Sequence, residues 1–178
     1  MKNMVCALTL VIMVVMAGCK KSEESPTAPA STDPIIATWV SDGQNVAIGL
    51  RGAPFKIKKI VATFNANKSY TVVQTDSANV SLTLSGTYTN TESNSTDTLS
   101  TTGTKGAKIF TIVANQSAPA SITATGIYAI SGNNMTYEVV QTSPPLTGVN
   151  APTPAGGFGS TTIAGLKYSI YIQKYVKQ

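Results

Sequence analysis

The strongest constraint on the fold is the alternation of two residue classes along residues 80–89. The segment reads Val-Ser-Leu-Thr-Leu-Ser-Gly-Thr-Tyr-Thr, so apolar or glycine residues alternate almost perfectly with hydroxyl residues. A period of two places the two classes on opposite faces of a β-strand, one dry and one wet. Residues 122–130 repeat the pattern, and the Ser-Gly-Asn-Asn sequence that follows them is typical of a hairpin turn. The chain is therefore predicted to form antiparallel strands.

Segments rich in Thr, Val, Ile and Tyr extend this prediction along most of the chain, because these residues suit a pleated surface. Further strands are predicted at residues 37–41, 46–50, 57–64, 70–75, 108–114, 135–140 and 167–176. No sustained apolar repeat of helical period accompanies them. We expect an all-β fold, an antiparallel meander β-barrel of about eight strands, with a β-sandwich as the alternative. Closure into a barrel removes exposed strand edges, which favours the barrel.

Two segments interrupt the strands. Residues 91–106 are polar and rich in hydroxyl groups, and we expect a loop there with a weak strand near residues 98–101. Residues 143–165 are dominated by Pro and Gly. A connection of this length is either a lid or binding loop, or an irregular excursion that packs on one barrel end through Phe158 and Leu146. Both interpretations stay open at this point.

The composition argues against most catalytic chemistry. The chain has no histidine, and both of its cysteines lie in the first nineteen residues. Proton transfer by imidazole, and the usual nitrogen and thiolate ligands of metals, are therefore missing from the rest of the chain. Its carboxylates after residue 34 are few and scattered, namely Asp42, Asp76, Glu92, Asp97 and Glu138. We expect no enzyme activity, no cofactor, no metal ion and no disulfide in this domain.

The first nineteen residues have the organisation of a secretory signal. A single charge, Lys2, precedes an apolar run that is too short for a stable membrane-spanning helix. The run ends in Met-Ala-Gly-Cys at Cys19, which resembles the lipobox of bacterial lipoproteins. The resemblance implies cleavage before Cys19 and attachment of diacylglycerol to its sulfur. We therefore divide the chain into a signal peptide (1–18), a lipidated cysteine with a disordered tether (19–34) and a β-barrel domain (35–178).

The charged segments bear on localisation and partners. Residues 20–24, Lys-Lys-Ser-Glu-Glu, are similar to the segment that follows the lipidated cysteine in surface-exported lipoproteins of Bacteroidetes-like bacteria. We expect a protein of the cell envelope, anchored to the outer membrane on its periplasmic or surface-exposed face. The basic segment at residues 56–59 is interpreted as a solvated strand face or edge, where lysine discourages strand pairing. No nucleic acid partner is expected, and the oligomeric state stays undetermined.

Several short motifs resemble the lipocalin-like domains of secreted bacterial lipoproteins. The first predicted strand carries Trp39, and a later strand leads through Phe64 into an Asn-containing turn. Gly-Thr-Tyr at residues 86–88, Gly-Ile-Tyr at 126–128 and Tyr-Ser-Ile-Tyr-Ile at 168–172 follow in order. The resemblance implies a calycin-type barrel, in which a tryptophan fills one end and a small apolar ligand can occupy the interior. An eight-stranded barrel has room for packed side chains or for one such ligand.

The candidate ligand-binding residues are apolar or tyrosine side chains on the predicted strands and in the long loop. They are Phe64, Leu82, Leu84, Tyr88, Tyr128, Tyr137 and Phe158. Tyrosine offers a ring for packing and a hydroxyl that can orient a ligand. The same residues could be ordinary core. We expect non-catalytic binding of a small apolar or amphipathic ligand or a lipid, with a surface module that binds glycan or protein through its loops as the alternative.

Overall fold

A computed structural model describes residues 33–178, and its architecture is a closed eight-stranded antiparallel β-barrel. The strands in chain order are β1 Ala37–Asp42, β2 Ile57–Phe64, β3 Ser69–Asp76, β4 Ser81–Thr96, β5 Lys108–Ala118, β6 Ile122–Ser131, β7 Asn134–Ser143, β8 Val149–Asn150, β9 Thr162–Ile163, β10 Leu166–Lys167 and β11 Gln173–Lys177. The barrel order is β1-β11-β7-β6-β5-β4-β3-β2, while β8, β9 and β10 form a separate small sheet. The predicted all-β barrel is confirmed. The predicted signal peptide, Cys19 and most of the tether lie outside the described residues.

The last strand closes the barrel by pairing with both the first strand and β7. Trp39 of β1 is opposite Lys177 of β11, and Gln173 of β11 is opposite Tyr137 of β7. The backbone N–H of Gln178 also donates to the carbonyl of Thr38 at 2.9 Å. Closure leaves no unpaired edge among the eight barrel strands, so their backbone groups are satisfied by neighbouring strands.

Strand β4 confirms the alternation seen in the sequence. Tyr88 points into the barrel and is buried, whereas Thr87 and Thr89 on either side of it are exposed. The strand is longer than expected, because residues 91–96 continue it and pair with β5. The prediction of a loop from residue 91 was therefore wrong in its first part, and the loop begins at Asp97. The weak strand predicted near residues 98–101 is also wrong, because the described residues between β4 and β5 include no strand. Threonine is well suited to a strand with a solvated face. The polar composition of residues 91–96 was therefore no evidence for a loop.

Two other strand predictions need correction. Residues 46–50 form no strand, since a 3₁₀ turn at Gly43–Asn45 leads into a short helix, α1, at Ile48–Arg51. A short apolar run is compatible with the period of a helix and with that of a strand. Here Val46 and Ala47 are buried while Ile48 is exposed. Residues 167–176 are divided between β10 and β11 by a turn in which the N–H of Ile172 donates to the carbonyl of Ser169. That turn brings the chain back from the small sheet to the barrel.

One end of the barrel, called here the closed end, is filled by aromatic side chains. The indole N–H of the fully buried Trp39 donates to the carbonyl of Ile35 at 2.8 Å. The rings of Phe64 and Tyr88 meet edge to face with centroids 5.1 Å apart. Those of Phe110 and Tyr128 stack at 5.0 Å. Such aromatic pairs add to the stability that area burial alone provides. The opposite end is called the cavity end.

The segment between β7 and β11, residues 144–172, packs against the outside of the barrel wall. Phe158 is buried there in a second apolar cluster with Ile109, Ile127 and Ala129, whose side chains point away from the barrel interior. Glu138, also on the outer face and fully buried, accepts a hydrogen bond from the backbone N–H of Gly159 at 2.6 Å. The long segment is therefore an ordered excursion held on the wall by both apolar and polar contacts.

Candidate ligand-binding cavity

A cavity of about 270 Å³ lies inside the barrel at the cavity end. At ~30 Å³ for each molecule of liquid water, this volume corresponds to roughly nine waters. Connections outside the barrel strands cover it, through Leu50 of α1, Leu146 after β7, and Tyr171 before β11. The aromatic core lies below the cavity and these side chains partly cover it from above, and its volume is just below the usual range of small-molecule sites, which begins at about 300 Å³.

The lining residues of β3 and β7 form three layers between the aromatic core and the rim. On β3 the inward residues Tyr70, Val72 and Gln74 succeed one another from the core toward the rim. Strand β7 repeats the order with Tyr137, Val139 and Gln141. We call the inner layer the tyrosine floor, and it comprises Tyr70, Tyr137 and Tyr175. Inward positions recur every two residues along a strand, so each strand presents one set of alternate side chains to the cavity.

The tyrosine floor is neutral and densely packed. The rings of Tyr137 and Tyr175 meet edge to face with centroids 6.1 Å apart, and Phe64 packs 6.2 Å from Tyr70. Burial raises the pKa of Tyr137 above its ordinary value, and the neighbouring Tyr175 and Tyr70 raise it further. Burial also raises the pKa of Tyr70 and of Tyr175. Low polarity disfavours the phenolate form, so all three rings carry their hydroxyl protons at neutral pH.

The glutamines of the rim differ in their hydrogen bonding. The Gln173 amide donates to the hydroxyl of Ser41 and accepts from the backbone N–H of Ala47. Gln141 and Gln116 donate to the carbonyls of Pro144 and Ala120, at 2.7 and 2.9 Å. These three amides therefore hold the connecting segments at the rim. Within residues 33–178, the half-buried amide of Gln74 makes no hydrogen bond, which leaves it for solvent or a ligand.

Of the residues predicted from sequence to contact a ligand, Leu84 and Tyr137 line the cavity. Phe64, Tyr88 and Tyr128 point into the barrel but belong to the packed core. The hydroxyl of Tyr88 donates to the carbonyl of Asn65 at 3.1 Å, and that of Tyr128 accepts from the amide of Asn90 at 2.6 Å. Their hydroxyls stabilise the closed end rather than face the cavity.

The other two candidates, Leu82 and Phe158, do not line the cavity. Leu82 has the inward phase on β4, but it lies near the end of the strand, where no further layer covers it, and it is 49% exposed. Phe158 is buried on the outer face of the wall, in the cluster formed with β5 and β6. The open question about residues 143–165 is thereby answered in part. Phe158 anchors the excursion to the wall, while Leu146 covers the cavity.

Sequence reasoning did not select two residues of the floor, Tyr70 and Tyr175. Tyr70 shares its phase with Val72, and Tyr175 shares its phase with Gln173, so both belong to the inward set of their strands. A consistent extension of the period-two pattern to β3 and β11 would have found them. Leu50 could not be found in this way, because residues 46–50 were predicted as a strand.

Hydrogen bonds around Asp33 hold the chain entering the barrel at the closed end. Its carboxylate accepts from the Lys68 ammonium at 2.6 Å and from the Asn90 amide at 3.1 Å. Asn90 in turn reaches the hydroxyl of Tyr128. The network joins the start of the described chain to β4, β6 and the β2–β3 turn. It lies away from the cavity and has a structural role.

The geometry of residues 33–178 defines an antiparallel meander barrel with a partly covered cavity in its interior and an ordered excursion on its wall. Among the described residues, no group of three or more Cys, Asp or Glu side chains is arranged to hold a metal ion. Residues 33–178 also contain no helix of the length and apolarity needed to cross a membrane. Comparisons with protein-family models, with curated proteins and with solved structures gave no match.

Proposed function

We propose that this protein binds one small apolar or amphipathic molecule inside the barrel and performs no chemistry on it. The observation that carries the proposal is the cavity of about 270 Å³ between the tyrosine floor and the covering loops. An apolar molecule placed there would leave water at a gain of ~25 cal/mol per Å² of apolar surface buried. An eight-stranded barrel is compatible with lipocalin-like ligand binding, which supports the same function.

The absence of catalysis is part of the proposal. The side chains around the cavity are aliphatic residues, tyrosines and glutamines. A hydrolytic or group-transfer site needs a nucleophile with a base beside it, or paired carboxylates at a suitable distance. The buried carboxylates Asp97 and Glu138 are instead engaged by hydroxyl and N–H donors away from the cavity. We infer a carrier or receptor rather than an enzyme.

The binding test compares two leucines on the same strand. Leu84→Phe adds a ring to the cavity wall, whereas Leu82→Phe places it on the exposed rim. In the full chain carrying Cys19→Ser, we expect a small apolar probe such as toluene to bind saturably, as followed by NMR. Leu84→Phe should weaken binding at least tenfold and Leu82→Phe should leave it within twofold. Absence of saturable binding in the parent protein would refute the proposed function.

We also propose that acylated Cys19 anchors the barrel in the cell envelope, at the outer membrane, so that the lipid bilayer is its partner. The basis is the lipobox-like sequence before Cys19. Labelling with an alkyne-bearing fatty acid should modify the parent chain and fail with Cys19→Ser. Labelling that persists in Cys19→Ser would contradict the anchor. Protease digestion of intact cells would then distinguish the periplasmic face from the surface-exposed face.

A second candidate function is an interaction module that contacts glycan or protein through the excursion. The observation in its favour is the exposure of two large side chains at β10, Leu166 at 64% and Tyr168 at 37%. Exposed aromatic and aliphatic groups on loops are typical of contact surfaces. This function predicts glycan or protein binding that Tyr168→Ala weakens and Leu84→Phe does not. If the cavity is the binding site, Leu84→Phe should weaken ligand binding and Tyr168→Ala should not.

A further inference from the structure

The wall of the cavity contains polar groups but no charged side chain. Tyrosine and glutamine supply all of its polar side-chain atoms, and no Asp, Glu, Lys or Arg contributes. An ionised ligand that enters such a site loses its hydration and finds no counter-charge. A neutral ligand loses much less and can recover hydrogen bonds from the wall. The wall therefore discriminates by ligand charge.

The three hydroxyls of the floor have no hydrogen-bond partner among the described residues. Within residues 33–178, the phenol oxygens of Tyr70, Tyr137 and Tyr175 make no hydrogen bond. They are not sealed from solvent either, because Arg51 Nε is the one buried side-chain polar atom without a partner in this part of the chain. All three residues line the cavity.

The contrast with Tyr88 shows that the floor hydroxyls are distinctive. Tyr88 also points into the barrel, but its hydroxyl donates to the carbonyl of Asn65. A buried tyrosine hydroxyl ordinarily finds such a partner. Three neighbouring tyrosines that leave theirs unused form a donor and acceptor surface that a bound molecule can satisfy. Each phenol can donate one hydrogen bond and accept another.

We propose that the cavity selects an uncharged molecule whose hydrogen-bonding group, such as a carbonyl, amide or hydroxyl, contacts the hydroxyls of the tyrosine floor. The apolar part of this molecule lies against the aliphatic layer that includes Val72 and Leu84. From the cavity volume we expect roughly ten non-hydrogen atoms. The inference rests on the proposed function and names its ligand class, which excludes free fatty acids in their ionised form.

The test uses probes of similar size that differ in charge. Toluene, hexanamide, methyl hexanoate, hexanoate and hexylammonium are titrated into the full chain with Cys19→Ser. We expect the amide and the ester to bind at least tenfold more tightly than either ion at pH 7. Hexanoate should bind more tightly as the pH falls toward ~4.3, the range in which a carboxyl group becomes neutral. Equal or tighter binding of an ion at pH 7 would overturn the inference.

Tyrosine variants test the contact with the floor. Tyr137→Phe and Tyr175→Phe remove one hydroxyl each and should weaken hexanamide binding about 3- to 10-fold, as expected for one hydrogen bond. Toluene binding should change less than twofold in both variants. Tyr88→Phe is the control, because its hydroxyl faces Asn65 and its loss should not alter the ratio of hexanamide to toluene affinity. Unchanged hexanamide affinity in both floor variants would contradict the proposal.

The probes distinguish failure of the proposed function from failure of the proposed ligand class. If no probe binds, toluene included, the proposed function and this inference fall together. If toluene binds and an ion is preferred, the cavity is a binding site and the inference about ligand charge alone is wrong. If Tyr137→Phe fails to fold, Tyr175→Phe and the pH dependence of hexanoate binding decide the question.

Discussion

The buried carboxylate of Glu138 binds Thr161 through two hydrogen bonds, from its backbone N–H at 3.2 Å and from its hydroxyl at 2.5 Å. A third bond comes from the backbone N–H of Gly159. Glu138 lies on the outer face of β7, so these bonds hold the excursion on the wall of the barrel. Hydrogen bonds to a charged acceptor are stronger than neutral ones, and they offset the cost of burying the carboxylate.

Replacement of Glu138 should therefore destabilise the docked excursion. Glu138→Gln replaces one acceptor oxygen with an NH2 group, which cannot accept a hydrogen bond from Thr161 or Gly159. We expect a loss of about 2 kcal/mol in the free energy of unfolding, measured by urea denaturation. Glu92→Gln, a change of the same kind at an exposed position, is the control and should stay within ~0.5 kcal/mol. Equal stability of the two variants would show that the carboxylate does not hold the excursion.

A second buried carboxylate organises the turn between β4 and β5. Asp97 accepts hydrogen bonds from the hydroxyl of Thr104 at 2.8 Å, from the hydroxyl of Thr102 and from the backbone N–H of Leu99. Asp97→Asn removes the acceptor either of both threonine hydroxyls or of the Leu99 N–H, and we expect a loss of roughly 1–3 kcal/mol together with faster amide exchange in the turn. The exposed Asp42→Asn serves for comparison. If amide exchange and unfolding of both variants match those of the parent protein, Asp97 does not organise the turn.

Glycine is required at residue 126 because two strand backbones approach closely there. A Cβ atom built on Gly126 would lie 2.0 Å from the carbonyl oxygen of Glu138 on the adjacent strand. Gly126→Ala must push β6 and β7 apart, and we expect a destabilisation of about 2–4 kcal/mol. At Gly52 the nearest atom to such a Cβ is 3.9 Å away, so Gly52→Ala should be nearly neutral. Thermal unfolding followed by circular dichroism compares the two.

Tyrosine burial predicts loss of stability in alkaline solution. Burial, with a further contribution from Asp33, raises the pKa of Tyr88 from 10.0 to about 12, and burial raises the pKa of Tyr70, Tyr128, Tyr137 and Tyr175 as well. The unfolded chain loses these protons first. Stability is therefore fully present below pH ~10 and falls as the pH rises through the folded-state pKa values.

Spectrophotometric titration of phenolate absorbance, run beside circular dichroism, checks this expectation. The five tyrosines should ionise together with loss of the barrel signal. Tyr88→Phe removes one contributor, so stability should decline less steeply between pH 10 and 12 in that variant. The prediction would be contradicted if these five tyrosines ionised near pH ~10, the ordinary pKa of tyrosine, while the barrel stayed folded.

Much of the barrel could be predicted because its determinants are local. Residues 57–64 were predicted as a strand and form β2 at Ile57–Phe64. The alternation along residues 80–89 also identified which side of β4 faces inward. Period two is a property of the extended backbone itself, so the sequence carries it directly. The prediction failed at residues 46–50 and 91–96, where a short apolar run and a polar strand each fit two structures. It also missed the turn that divides residues 167–176 between β10 and β11.

The candidate site was only partly predictable, for a reason that Leu82 and Leu84 make clear. The two leucines have the same inward phase, yet only Leu84 lines the cavity. Depth along the barrel depends on register with neighbouring strands, as in the pairing of Val72 with Leu84 and of Gln74 with Leu82. Register involves residues distant in sequence, so the alternation of one strand does not contain it.

The sequence by itself determined the strand-rich fold, the inward phase of most strands and the lack of histidine and of cysteine after Cys19. The tertiary structure alone decided that β11 closes the barrel against β1, that Phe158 lies outside the wall, and that Tyr70, Tyr137 and Tyr175 line the same cavity. Face alternation follows from the geometry of a single strand. Closure of the barrel, packing of the excursion on its wall and the grouping of the three tyrosines depend on contacts between segments distant in sequence. The free energy of these contacts depends on the whole fold.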